Sequence, residues 1–250
     1  MRSQDFTPAL AAGVQSGSAA LLERALPAPD ERWAFEAAAT RWFALPDLET
    51  RSLSLLVPVR TLRLAAGLSQ TGDGELGWTC AGACAGAATP EFGFALRIVS
   101  RRDRAGGGLL TSDAALGAGF EAGGGAWIAP ATGVRLWASA PQLWTRGEAP
   151  PLARPLELGA SLARGALAGW IAIDAASAED DGSQSAGVSL AAGALDVWAE
   201  ARSSPTRASV GLAGTRGRLR FAARIEGHPV LGETATVSLT LRRGAGRESP

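Results

Sequence analysis

Apolar side chains alternate with polar or very small ones through most of this sequence. The segment TATVSLTL at residues 234–241 and the segment RLRFAARI at residues 218–225 are the clearest cases. A period of two residues is typical of strands, because successive side chains point to opposite faces of a sheet. Each such strand would therefore have one apolar face and one polar face.

The number and length of these segments favour a membrane-spanning barrel. About fourteen of them, each about ten residues long, follow one another between residues 32 and 243, and a transmembrane strand needs that length. No run reaches the roughly 18 to 20 consecutive apolar residues of a transmembrane helix. We therefore expect an all-β fold, a transmembrane antiparallel up-and-down β-barrel of about 14 strands (12–14).

The connections between the expected strands alternate in length. The odd-numbered ones, such as residues 102–109 and 139–153, are mostly long or polar, whereas the even-numbered ones, such as residues 122–125 and 164–165, are short. Outer-membrane barrels have short periplasmic turns and longer outer loops. A soluble sandwich has no reason to sort its loops in this way, so the pattern favours the barrel.

Three regions are expected along the chain. Residues 1–31 form a leader or plug-like segment, residues 32–243 form the barrel, and residues 244–250 form a polar tail. Residues 1–26 contain no recognisable secretion signal, which an outer-membrane protein requires. We expect the start to be truncated or misassigned; the alternative is that the membrane interpretation is wrong.

Eight tryptophans stand in a chain without tyrosine. Trp33, Trp42 and Trp137 are predicted at strand ends, where amphipathic rings lie at the level of the lipid headgroups. Trp170 and Trp198 are predicted in the middle of strands. The alternative is that these rings fill a β core.

Three short phrases resemble the PorV/FadL-type outer-membrane barrels of bacteria, especially the divergent PorV-like members. They are GHPVLGET at residues 227–234, RWFALPDL at residues 41–48 and QTGD at residues 70–73. The resemblance implies a barrel of about fourteen strands. It also implies either a porter for hydrophobic molecules or a partner of secretion or surface-attachment machinery. The chain departs from the family in lacking an Asn-Pro-Ala phrase and a terminal aromatic residue, which barrel-assembly machinery usually reads.

The polar strand faces carry charges of both signs. These residues are the candidate lumen lining: Arg63, Arg97, Arg218, Arg220, Arg224, Glu36, Glu91, Asp196 and Glu200. Charges inside a barrel need partners or water. They predict either a network of ion pairs across the lumen or a constriction that selects solutes.

Catalytic and metal chemistry find little support. The single histidine, His228, is expected in an outer loop, and so is the acidic pair Asp180 and Asp181. Cys80 and Cys84 are expected as small strand residues, because four strand residues span roughly 13 Å and a disulfide needs Cα atoms within about 7 Å. A tight turn between them would permit a bridge. We expect no enzyme, no cofactor and no metal.

The expected function is therefore that of an outer-membrane barrel without catalytic activity. It would act as a passive porter for small or hydrophobic molecules, or as a scaffold for secretion or surface attachment. Its expected partners are the lipid bilayer and the barrel-assembly machinery, and a net charge of zero gives no reason to expect nucleic acid. The alternative is a secreted, soluble β-rich structural or adhesin-like protein.

Overall fold

The chain folds into one closed antiparallel barrel that encloses a short helix. A computed structural model describes residues 17–29, 32–45, 47–72, 76–105, 117–147, 156–175, 182–204 and 206–242. No helix among them is long and apolar enough to cross a membrane. The elements in chain order are α1 (Ser18–Arg24), β1 (Ala34–Arg41), β2 (Glu49–Val59), β3 (Leu62–Gly72), β4 (Leu76–Ala88), β5 (Phe92–Ala105), β6 (Gly117–Ala131), β7 (Val134–Gly147), β8 (Glu157–Arg164), β9 (Leu167–Asp174), β10 (Ser183–Ala192), β11 (Leu195–Arg202), β12 (Arg207–Arg216), β13 (Leu219–His228) and β14 (Gly232–Arg242).

Every strand pairs with its neighbours in the sequence, and the first strand pairs with the last. Ala34 of β1 lies opposite Leu56 of β2 on one side and opposite Arg242 of β14 on the other. The barrel has no free edge, because each strand has a paired strand on both sides. The predicted class, a closed up-and-down barrel of fourteen strands, is confirmed.

The two ends of the barrel differ. At one end, which we call the turn end, consecutive strands are joined by two or three residues, as between Val59 and Leu62. At the other, the loop end, the connections range from three residues to eleven, the longest lying between Ala105 and Gly117. This difference follows the length alternation in the sequence.

Alternation sorts the side chains between the lumen and the outer surface. On β5, Phe94, Leu96 and Ile98 are 49–67% exposed on the outside, whereas Ala95 and Arg97 are buried inside. The same arrangement holds on β3, where Leu64 and Leu68 face outward. The outer surface is therefore an apolar belt, and the polar side chains of the strands face the lumen.

Strands β6 and β7 extend into residues 122–125 and 139–147, which the sequence predicted as connections. The predicted turn at residues 122–125 is wrong, because Gly123, Gly124 and Gly125 lie in the middle of β6. The turn comes later, at residues 132–133, and residues 139–147 continue β7 instead of forming a loop. The ladder between these strands shifts register between Ala122 and Gly124. A β-bulge of this kind accommodates extra residues and bends the strand.

Candidate functional site: the lumen and the segment inside it

Residues 17–29 lie inside the barrel, and we call them the lumenal segment. Its helix α1 is short, and it ends at Ala25, which has a left-handed backbone with φ of 54°. The amide of Ala25 donates to the carbonyl of Leu21 at 2.8 Å, which closes the last turn. All of the segment's residues are buried except Arg24, Leu26 and Pro29, which are half-buried.

The apolar side of α1 packs on the inner faces of β1 to β5. Leu21 and Leu22 are fully buried. The wall side of this cluster consists of small and apolar residues: Ala34, Leu56, Ala65, Cys80, Cys84, Ala95 and Val99. Neither cysteine is in a disulfide and both pack in the cluster with the helix, so the strand interpretation of these two residues holds.

Arg63 holds the end of the lumenal segment. This side chain is 4% exposed on the inner face of β3. Its Nε donates to the carbonyl of Ala28 at 3.0 Å, and one Nη donates to the carbonyl of Pro29. The other Nη donates to the carbonyls of Arg60 and Leu62. A rigid guanidinium fork suits this task, because it presents several donors in one plane.

Arg97 occupies the corresponding position on β5. It is 3% exposed and forms an ion pair with Glu121 of β6. Its Nη1 also donates to the carbonyl of Pro141 at 3.3 Å and to the carbonyl of Glu23 at 3.5 Å. This one side chain therefore joins the helix to the bulged part of β6 and β7.

Arg24 anchors the segment to the opposite wall. Its guanidinium lies 3.0 Å from the carboxylate of Glu157 on β8. Trp137 Nε1 donates to the same carboxylate at 2.9 Å, and Ser139 Oγ donates to the carbonyl of Arg24 at 2.6 Å. Because Glu157 is buried, its carboxylate requires partners, and it has two.

Three further contacts complete the attachment. Ser18 Oγ lies 2.7 Å from Ser54 Oγ of β2, and Trp127 Nε1 donates to the carbonyl of Pro27 at 2.5 Å. Glu36 of β1 is buried and accepts a hydrogen bond from the amide of Ala19. Polar contacts to the lumenal segment therefore come from β1, β2, β3, β5, β6, β7 and β8.

Gly125 explains why the glycine triplet lies in a strand. A Cβ atom at Gly125 would lie 2.7 Å from the carbonyl oxygen of Arg24 and 2.8 Å from that of Ala25. Any side chain there would displace the lumenal segment. At Gly123 a Cβ would meet the backbone of Ala140 and Pro141 at 2.3 Å, where the bulge brings the two strands together.

Four inward tryptophans each cover a glycine of the adjacent strand. The register places the two members of each pair directly opposite one another. The pairs are Trp127 with Gly93, Trp137 with Gly159, Trp170 with Gly187 and Trp198 with Gly211. A Cβ at any of these glycines would lie 2.1–2.4 Å from the indole ring. Trp137 is the fourth residue of β7 and its ring is buried on the lumen side, so its predicted place at the level of the lipid headgroups is wrong.

Ion pairs line the remaining wall. Arg220 of β13 lies 2.7 Å from Asp196 of β11. Glu226 accepts from Arg224 at 2.6 Å and from Arg207 at 3.0 Å, so one carboxylate serves two guanidinium groups. Each of these arginines has a carboxylate partner on the same wall, which favours the ion-pair interpretation for this part of the lumen.

The remaining candidate residues are Glu91, Arg218, Glu200, Asp180 and Asp181. Glu91 and Arg218 are exposed in turns between strands, and their place in the lumen lining stays a prediction. Strand β5 begins only at Phe92, so Glu91 precedes it, and the Glu91 carboxylate accepts from Thr89 Oγ1 at 3.0 Å. Glu200 is half-buried on β11. Asp180 and Asp181 lie outside the described residues.

His228 has a structural contact. It is the last residue of β13, and its Nδ1 accepts from the amides of Val230 and Leu231 at 3.1 and 3.0 Å. Its ring also meets the ring of Phe43 edge-on at 6.2 Å. These contacts fix the turn between β13 and β14. No group of three or more possible metal ligands occurs among the described residues.

Comparisons with known proteins extend the description of the fold. No family model matches the chain, and no curated protein matches it. Among solved structures, it is similar to the toluene transporter TodX of P. putida, with a TM-score of 0.59 and 12% identity over 93% of this chain and 95% of that one. It is also similar to the outer membrane protein Omp33 of Acinetobacter baumannii, with a TM-score of 0.52 and 9% identity over 85% and 98%. The fold is that of the outer-membrane barrels, and the likeness to the PorV-like members stays a prediction.

Proposed function

We propose that this chain is a passive outer-membrane porter whose lumen is occluded by its own residues 17–29. The observation that carries the proposal is the lumenal segment, which packs on the inner wall and makes hydrogen bonds or an ion pair with seven strands. A barrel that served only as a scaffold would not require a short segment held inside its lumen by side-chain contacts.

The surface of the barrel supports a membrane location. Large apolar side chains cover the outer face, for example Leu53 and Leu68 at 51% and 60% exposure. Water would penalise such a surface, whereas lipid stabilises it. Short connections at the turn end and longer ones at the loop end agree with a periplasmic turn end and an outer loop end.

The inner wall supports small or hydrophobic solutes. The wall residues that pack on the apolar side of α1 are alanines, leucine, valine and the two cysteines, and four indole rings form a second apolar cluster. TodX is named as a transporter of toluene, a small apolar molecule, and its fold is shared by this chain. We infer that solutes of this chemical class pass between the wall and a displaced lumenal segment. No observation on the described residues favours the scaffold role or the soluble alternative.

A reversible crosslink tests this proposal. Ser18→Cys together with Ser54→Cys, in a background of Cys80→Ala and Cys84→Ala, replaces two hydroxyls that lie 2.7 Å apart. Oxidation should form a disulfide that ties α1 to β2. We expect proteoliposomes of the oxidised protein to take up toluene or small sugars more slowly than those of the reduced protein.

The control carries Ser54→Cys alone in the same background and should not respond to oxidation. Uptake that stays equal before and after crosslinking would contradict occlusion by the lumenal segment. Uptake no faster than in protein-free liposomes, in every redox state, would contradict the porter function itself.

A further inference from the structure

A groove lies on the outer face of the barrel at its turn end. It measures about 500 Å³, within the range of about 300–1,000 Å³ that small-molecule sites occupy. Its lining residues come from β10 to β14 and the turns between them: Ala192, Ala194, Leu195, Gly214, Thr215, Arg216, Leu219, Phe221 and Leu239. It is separate from the lumen, and the porter function does not use it.

A missing side chain creates the groove. Gly214 faces outward on β12, and the register places Leu195 of β11 on one side of it and Phe221 of β13 on the other. A Cβ at Gly214 would meet no atom within 4 Å. Leu239 lies opposite Phe221 on the next strand and extends the apolar wall. The floor is therefore bare backbone between rows of apolar side chains that are 44–50% exposed.

The end of the groove nearest the turns is polar and positively charged. Arg216 follows Gly214 on the same outward face, opposite Leu219, and Thr215 lies between them in the sequence. The inward arginines nearby are neutralised, as Arg220 is by Asp196. Arg216 is exposed and forms no ion pair with any described residue. Its charge is available to a ligand from outside the barrel.

We propose that this groove binds one anionic phospholipid of the leaflet at the turn end. An acyl chain lies along Leu195, Phe221 and Leu239, and the phosphate accepts hydrogen bonds from the Arg216 guanidinium. Guanidinium groups match phosphate geometry, and basic residues beside a membrane attract anionic headgroups. The position of Arg216 also suits a headgroup, because this residue lies where the apolar belt ends, at the level of the lipid headgroups.

Native mass spectrometry of the full chain in detergent tests the proposal. The probes are dioleoylphosphatidylglycerol and dioleoylphosphatidylcholine, titrated separately. We expect wild type to retain phosphatidylglycerol more strongly. Arg216→Gln should weaken phosphatidylglycerol binding about fivefold to tenfold, the effect of losing one charge-assisted hydrogen-bonding partner, and should remove the preference over phosphatidylcholine.

A second variant attacks the floor of the groove. Gly214→Leu fills open space and should reduce binding of both lipids without disturbing the wall. Matched controls lie outside the groove: Arg164 is an exposed, outward arginine at the same end, and Gly169 is an outward glycine on β9. Arg164→Gln and Gly169→Leu should change binding by no more than about twofold, as expected for surface substitutions.

Specific outcomes overturn the assignment. Equal losses of phosphatidylglycerol binding in Arg216→Gln and Arg164→Gln would mean that positive charge attracts the lipid without a specific site. Equal binding of the two lipids by wild type would remove the role of Arg216. Full displacement of phosphatidylglycerol by an equal concentration of lipopolysaccharide would assign the groove to another phosphate-bearing lipid. Heat-modifiable gel migration of each variant verifies that the barrel has formed.

Discussion

Single glycines decide how indole rings fit against the inner wall. At Gly159, the three atoms nearest to an added Cβ all belong to Trp137, the closest at 2.1 Å. We expect Gly159→Ala to force the ring out of its position and to lower the free energy of unfolding by about 1–3 kcal/mol, the usual cost of overpacking. Urea titration of the refolded barrel in detergent, followed by tryptophan fluorescence, measures the change.

The matched control is Gly214→Ala, because an added Cβ there meets nothing within 4 Å. It should leave the unfolding midpoint unchanged. The double variant Gly159→Ala with Trp137→Ala should be less unstable than the sum of its single variants, since the clash no longer exists. Additive losses would show that the ring is not what the glycine accommodates.

Elements could be predicted from sequence wherever alternation is unbroken, and not where glycine interrupts it. The alternating segments at residues 218–225 and 234–241 match β13 and β14 to within three residues at each end, because the apolar belt imposes a period of two on every outward face. Glycine at residues 123–125 looks the same in a turn as in a strand that must admit the carbonyl of Arg24. Contacts such as Trp127 to Pro27 join residues 100 positions apart, and no local pattern encodes them.

Inward arginines show the same limit. Strand alternation predicts that Arg63 and Arg97 face the lumen. Their partners, however, include carbonyls of the lumenal segment. Neither the ion-pair network nor the solute constriction expected from sequence includes such partners. Conversely, Arg216 looks unremarkable in sequence. Its importance comes from the register that brings Gly214 between two large apolar side chains.

A substitution in β6 tests the packing of α1, which lies against this strand at Gly125. Gly125→Val would bring a side chain against the carbonyls of Arg24 and Ala25 and push α1 away from the wall. Cys80 and Cys84, which are covered by that helix, should then react faster with a small maleimide, by about tenfold for each 1.4 kcal/mol of lost packing. Thiol labelling followed by mass spectrometry measures the rate.

Gly169→Val is the appropriate control for this experiment, because it adds the same side chain to the outward face of β9, away from α1. Its labelling rate should equal that of wild type. An unchanged rate in Gly125→Val would mean that the helix is not what protects the thiols, and the packing described for the lumenal segment would be wrong.

At the scale of the whole molecule, the apolar belt allows a test of whether the outer surface lies in lipid or in water. Leu96 lies in the middle of the outward series of β5 and is 67% exposed. In a soluble protein, Leu96→Arg would cost almost nothing, because surface substitutions away from special features stay within about 0.5 kcal/mol. In a bilayer, an arginine near the midplane of a barrel costs about 2–4 kcal/mol, and near the interface it costs about 0–1 kcal/mol.

The belt also provides its own control. Gln70 is exposed on the outward face of β3, beyond Leu68, where the apolar series ends. We expect Leu96→Arg to lower the free energy of unfolding in phospholipid vesicles by about 2–4 kcal/mol and Gln70→Arg by less than about 1 kcal/mol. Because both side chains point away from the lumen, neither substitution alters the contacts of residues 17–29. Equal, small effects at the two positions would place this surface in water and would contradict the membrane location that the porter proposal requires.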